Sequence, residues 1–228
     1  MTVVGNSANW MEAILKIRYS LVLAIILISW SSGFSQFIDR SLSIKGGFNL
    51  ANIIGKNTAN FEYNKGIMIG LSKNVWPTDS RFNSQIEIIF TMKGACAAYK
   101  NELDEDVEVF YELYYIEFPF MLKFNMRNGK QENNDSNIFL NAGLVYGFNI
   151  SAESVEENDI IKNISSQIAN QEFGFVGGVS YESRFKNENK FSLEFRYNRS
   201  LSNILETDEF DNYNEVFSII LGFGIFDF

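Results

Sequence analysis

Three glutamates and four basic residues sit at matched positions in otherwise greasy segments: Lys45, then Glu87 with Lys93, Glu117 with Lys123, and Glu194 with Arg196. Within each segment the charged residues are an even number apart. An extended chain therefore places them on one face. Two carboxylates facing each other across a cleft could act as general acid and general base. The same residues could instead neutralise one another inside a closed interior, because buried charges persist when paired. The second reading is preferred. The chain has no histidine. That removes Ser-His-Asp and Cys-His nucleophiles and every histidine-dependent metal site. No enzymatic activity and no cofactor are expected.

A second set of candidates is acidic. Asp104 and Asp106, Glu156 and Asp159, and Asp208 and Asp211 fall in three stretches, 95–110, 152–171 and 202–214, that break the greasy pattern. Oxygen ligands suit a hard divalent cation. Such loops could hold one weakly, bridging to anionic lipopolysaccharide. No calcium-loop consensus is present, and solvated like-charged loops are the simpler reading. No confident metal site is assigned. In the middle stretch Ile160, Ile161, Ile164 and Ile168 follow helical spacing, which predicts a short amphipathic helix over the end of the domain. The single cysteine, Cys96, rules out an intrachain disulfide and reads as an incidental thiol.

The elements that must position the charges are strands. In Tyr111–Met126, residues Ile116, Phe118, Phe120, Leu122 and Phe124 alternate with Tyr115, Glu117, Pro119, Met121 and Lys123. Comparable two-faced segments are read at 41–51, 66–75, 82–94, 111–126, 137–151, 172–185, 191–201 and 215–228. Their apolar faces are continuous, whereas the opposite faces carry Gly, Ser, Asn and charges of both signs. A soluble surface would be richer in Lys and Glu, while a narrow barrel interior holds small residues and ion pairs. Each segment is about ten residues or longer, the length that a tilted transmembrane strand needs. The connections alternate: long at 52–65, 95–110, 152–171 and 202–214, short at 76–81 and 186–190, intermediate at 127–136. Outer-membrane barrels show that rule, with both termini on the short-turn side. The expected fold is an all-β, eight-stranded, antiparallel up-and-down transmembrane barrel. Pro119 lacks a donor for the ladder and predicts a local bulge. Trp76, Tyr111, Tyr114 and Tyr115 fall near strand ends, where aromatic girdles sit. Mean hydropathy near zero fits a barrel, which spreads its apolar residues over alternate positions. A net charge of −9 argues against nucleic acid, which needs a basic surface.

At the N-terminus Lys16 and Arg18 precede an apolar run, Leu21–Trp30, and small residues follow at 31–36. This reads as a signal peptide over 1–35 cleaved after Ser35, with the barrel domain over 36–228. Residues 1–10 have no part in that scheme, and Met11 is an alternative start. The run is too short to span a bilayer as a helix. The terminal Phe226-Asp227-Phe228 fits a last strand presented to barrel-insertion machinery.

Lys45-Gly46-Gly47-Phe48-Asn49-Leu50 and Tyr115-Ile116-Glu117-Phe118-Pro119-Phe120-Met121-Leu122-Lys123 resemble the opening strand and the Tyr-x-Glu-x-Pro-x-x-x-Lys strand of PorT-like outer-membrane barrels of Bacteroidetes. Asn141–Gly147 and Arg196–Ile204 are similar to that family's later strands. The resemblance covers roughly 41–228 and implies an eight-stranded barrel in the bacterial outer membrane. A secretion role does not follow from fold alone. The expected function is structural or that of an interaction platform, with loops at the cell surface. Expected partners are outer-membrane lipid, lipopolysaccharide, the insertion machinery and an envelope protein, and not nucleic acid. Two alternatives remain at this point: a narrow channel or secretion-system component, and a secreted soluble barrel that binds a small apolar ligand.

Overall fold

The computed structural model describes residues 42–56, 58, 60–75, 81–100, 106–126, 136–156, 161–184, 190–206 and 211–226. The signal-peptide segment, Trp76, Ile160, Asp104, Asp159 and Asp208 lie outside the described residues. So do the side chains of Asp106 and Phe226.

Nine strands form among the described residues: β1 (Leu42–Gly55), β2 (Phe61–Asn74), β3 (Phe82–Lys100), β4 (Asp106–Asn125), β5 (Ser136–Glu156), β6 (Ile161–Asn163), β7 (Gln171–Arg184), β8 (Lys190–Ser200) and β9 (Asn212–Phe226). Eight are long, and β6 has three residues. Each long strand pairs antiparallel with its neighbours. The β1–β9 ladder and the β4–β5 ladder close the ring β1-β2-β3-β4-β5-β7-β8-β9. Closure leaves no sheet edge among these eight, a requirement for strands in lipid. No helix among the described residues is long and apolar enough to cross a membrane; the crossing elements are strands.

Burial reverses the usual order. Phe48 is 75% exposed while Lys45, three residues before it on β1, is 4% exposed. Ile67, Ile69, Phe120, Leu122, Phe195 and Ile219 also point outward. Aromatic pairs mark both edges of this band. Phe82 packs tilted against Phe124 (5.1 Å between ring centres) and Phe191 against Phe223 (5.4 Å) toward the end that holds Leu42 and Phe226. At the far edge the Tyr114 hydroxyl donates to Glu112 (2.7 Å), and those of Tyr63 and Tyr197 both donate to Glu215 (2.8 Å each). Rings in lipid with hydroxyls reaching toward water are what an interfacial girdle requires. From Phe124 to Tyr114 is about ten residues, which at ~3.4 Å per residue and ~40° tilt gives roughly 25 Å, the height of an apolar barrel band.

Four expectations change. Two of the long connections, 52–65 and 95–110, are mostly strand: β1 runs to Gly55 and β2 starts at Phe61, and β3 and β4 run on to Lys100 and from Asp106; in the third, β5 runs on to Glu156. Pro119 stays in register opposite Val145 with no bulge beside it. Its missing N–H falls where the β3–β4 ladder has a gap, between the Ile86–Phe120 and Ile89–Glu117 pairs. The irregularity lies instead at Tyr114/Tyr115, where Tyr114 pairs Ser151 and Tyr115 pairs Asn149, leaving Ile150 extra on β5. That added residue turns Ala152 inward. Tyr115 is no girdle residue; it is fully buried inside the barrel. The isoleucine-rich stretch forms no helix among its described residues. Ile161 is in β6, Ile164 accepts from the Gln167 N–H in a single turn, and Ile168 bridges Leu205. Edge pairing to β5 satisfies that backbone, and β-branched isoleucine suits it better than helix.

Candidate functional site

The inward face of β3 carries the interior layer by layer. Gln85, Glu87, Ile89, Thr91, Lys93, Ala95 and Ala97 succeed one another at alternate positions, and all are buried. Polar layers come first and apolar ones last.

The first charged layer joins Lys45, Glu87, Glu194 and Arg196. Lys45 Nζ donates to Glu87 (2.5 Å) and Glu194 (2.8 Å). The Arg196 guanidinium grips both Glu87 oxygens (2.7 and 3.0 Å), and its Nε donates to Glu194 (2.8 Å). Two cations meet two anions, so the layer is neutral. Its geometry includes a bidentate arginine, the strongest form of such pairing. Gly222 stands opposite Lys45 in the β1–β9 ladder, and a Cβ there would press on Ser192 and approach the Lys45 stem. Lys123 extends this layer toward the Leu42 end. It donates to Gln85 (3.0 Å) and pairs with Glu182, while Gln85 donates in turn to Glu87. A cavity of about 20 Å³, room for roughly one water, lies there among Ser43, Lys45, Ser72, Glu182 and Gly222.

Past Met68, Ile89 and Ile220, which pack together as a small apolar layer, and Asn49, whose amide donates to Thr91 (2.8 Å) and accepts from Ser218 (2.8 Å), comes the second charged layer. Here Lys93 bridges Glu117 (2.5 Å) and Glu172 (2.7 Å) and lies 4.7 Å over the Tyr115 ring. Asn214 donates to Glu172 (2.7 Å), and Asn198 lies 3.4 Å from both Glu117 oxygens.

Above it the interior turns apolar. Ile53, Ala95, Leu113, Tyr115, Ala152, Ile168 and Ile204 form a buried cluster, with Phe61, Tyr111, Ile164 and Leu205 against it. Segments 164–170 and 201–206 supply the lid. Ala169 donates to the Ile204 carbonyl (2.8 Å), Glu206 to Gln167 (3.0 Å) and Ile164 to Ala152 (2.9 Å). Gly94, at φ +128°, carries β3 past this junction; a side chain there would run into the Tyr111 carbonyl.

All seven sequence-derived interior residues, Lys45, Glu87, Lys93, Glu117, Lys123, Glu194 and Arg196, are buried within the ring. Sequence reasoning left out Glu172, Glu182, Gln85 and Asn198, although their positions on the inward face of their strands were visible. Asn214 lay before the expected start of the last strand and gave no signal. Among the acidic candidates, Glu156 pairs with Lys162 (2.5 Å) and Asp211 with Lys56 (3.6 Å). The hydrogen bond to Glu156 raises the Lys162 ammonium above its ordinary pKa. Among the described residues no three His, Cys, Asp or Glu side chains gather as a metal group.

A closed ring with a lipid-type outer face, a charge-filled interior and aromatic girdles defines a transmembrane β-barrel. The chain belongs to the outer membrane protein beta-barrel domain family, whose model matches residues 34–206; it is a protein of the bacterial outer membrane. The soluble-barrel alternative falls with that membership. Among solved structures the chain is similar to neisserial surface protein A (NspA; 9% identity, 81% of this chain and 97% of that one, TM-score 0.47). It is similar also to the outer membrane protein OprG of Pseudomonas aeruginosa (11%, 83% and 97%, 0.45). A third is a major outer membrane protein of Thermus thermophilus (10%, 81% and 97%, 0.49). No curated protein sequence matches the chain.

Proposed function

We propose that the barrel is a closed, non-catalytic scaffold that presents its membrane-distal end as an interaction platform at the cell surface. The observation that carries this reading is the filled interior. Two charged layers and an apolar lid occupy the axis in succession, and an eight-stranded ring has room for little else. Each inward glutamate of the two layers is engaged by a lysine or arginine, which leaves no free carboxylate pair for acid–base work. In this reading the Leu42 end of β1 and the Phe226 end of β9 face the periplasm, as barrels of this type place their first and last strands. The extended β3, β4 and β5, at 19, 20 and 21 residues, then stand above the outer leaflet. Lipopolysaccharide at the tyrosine girdle and an envelope protein above it are the partners this geometry suits. The Lys45–Leu50 and Tyr115–Lys123 segments favour a place among PorT-like barrels. In planar bilayers the folded protein should give no unitary openings. Stepwise conductance from heat-modifiable protein would overturn the closed reading in favour of a narrow channel.

A further inference from the structure

Above the tyrosine girdle the lid packs against the inner face of the extended sheet, and the outer face looks into water. One residue from each of five strands lines up across that outer face. Glu62 stands opposite Cys96, Cys96 opposite Phe110, Phe110 opposite Val155 and Val155 opposite Ile161. Paired residues share a face, and the alternate positions Ala95, Ala97, Val109 and Ala152 are buried inside. The line is therefore an outward apolar row from β3 to β6 with a carboxylate at its β2 end. Ile161 is 63% exposed, and Cys96, Phe110 and Val155 are half-buried.

The rows on either side are acidic. Toward the membrane Glu112 stands directly opposite Glu153, a like-charge pairing that destabilises a ladder. The groups that donate to them are neutral: the Tyr114 hydroxyl to Glu112 (2.7 Å) and the Ser151 hydroxyl to Glu153 (3.4 Å). Away from the membrane Glu108 stands opposite Ala98. Among the described residues none of Glu62, Glu108, Glu112 and Glu153 meets a lysine or arginine, and Lys162 on β6 is taken by Glu156. A cationic surface laid here would relieve the repulsion and cover the apolar row in one step.

We propose that this face docks a basic protein segment, with an apolar side chain seated on the Phe110–Val155–Ile161 row and lysine or arginine on both sides of it. The proposal rests on the platform reading and gives its partner a chemistry. Charge selects the occupant. Lipopolysaccharide is anionic, and a second copy of this chain, at net charge −9, would bring like charge to the same face. From Glu62 to Ile161 the row crosses four strand spacings, about 19 Å, which an extended segment of about six residues spans.

Cys96 is the single cysteine of the chain and lies in the row, so its alkylation by N-ethylmaleimide reports cover there. The folded barrel in nonionic detergent is titrated with the hexapeptide Lys-Lys-Ile-Phe-Lys-Lys. Its Glu-Glu-Ile-Phe-Glu-Glu and Lys-Lys-Ser-Ser-Lys-Lys counterparts are the controls. The first peptide alone should slow alkylation, to a saturating limit, and added salt should weaken the effect. Glu112→Lys combined with Glu153→Lys should lower the apparent affinity about tenfold, and Ile161→Ser should lower it too. No protection by the first peptide, or equal protection by all of them, would overturn the proposal. So would protection that survives the double charge reversal. Slowing that follows barrel concentration without peptide would overturn it in favour of a contact between copies. Each of these results leaves the closed platform standing, since that reading falls on conductance.

Discussion

Within single strands the two ends of the barrel are built to opposite rules. On β4, Ile116, Phe118, Phe120 and Leu122 face outward while Glu117 and Lys123 face inward. Eight residues away on the same strand, Val109 and Leu113 are buried inside, whereas Glu108 and Glu112 point out. Side-chain direction does not change along β4; its chemistry does. The crossover falls at the tyrosine girdle, where the outside solvent changes from hydrocarbon to water. In the membrane half, apolar surface gains nothing by facing inward, and the interior can be polar provided that every charge is paired. In the distal half the ordinary hydrophobic effect returns and makes an ordinary core. A lid of 164–170 and 201–206 completes it.

The largest test of this contrast strikes the membrane half's interior. Arg196→Met leaves Glu87 and Glu194 with Lys45 alone. It should destabilise the barrel by about 3–5 kcal/mol, read from urea midpoints in detergent micelles. In the distal half, Leu113→Ala opens a cavity in the lid cluster and should cost about 2–5 kcal/mol in the same assay, without loss of membrane insertion. Outward positions of β4 divide at the girdle. Leu122→Arg should cost about 2–4 kcal/mol when folding is measured into lipid vesicles, decreasing as the site nears an interface. Glu108→Arg, above the girdle, should stay within ~0.5 kcal/mol. Equal costs at Leu122 and Glu108 would erase the comparison.

Much of the membrane half could be read from sequence, because alternation of large apolar and small or charged residues is directly visible at 116–124, 138–148 and 215–224. Parity alone put Lys45, Glu87, Lys93, Glu117, Lys123, Glu194 and Arg196 on the inward face. The distal half escaped for the same reason that it is distinctive. When Val109 and Leu113 take the parity that Glu117 and Lys123 hold, the greasy face changes sides, and a single-period reading sees the pattern stop and assigns a loop. Ala95, Cys96, Ala97 and Ala98 hid it further, since small residues do not mark a face. Pairings across the ring, such as Lys93 with Glu172 and Asn214 with the same Glu172, depend on register and on strand ends that no local pattern encodes. Pro119 was misjudged because the donor it lacks is only one ladder bond, and the β5 side holds the register without it.

The central claim is that lipid bathes the outer face of β4 below Tyr114 and water bathes it above. Single nitroxide labels at Phe120, Leu122, Glu112 and Glu108 in vesicle-inserted protein test it directly, through collision with oxygen, which concentrates in hydrocarbon, and with a water-soluble nickel chelate. Labels at 120 and 122 should favour oxygen, those at 108 and 112 the chelate, with the crossover at the girdle. Chelate access at all four positions would contradict the account.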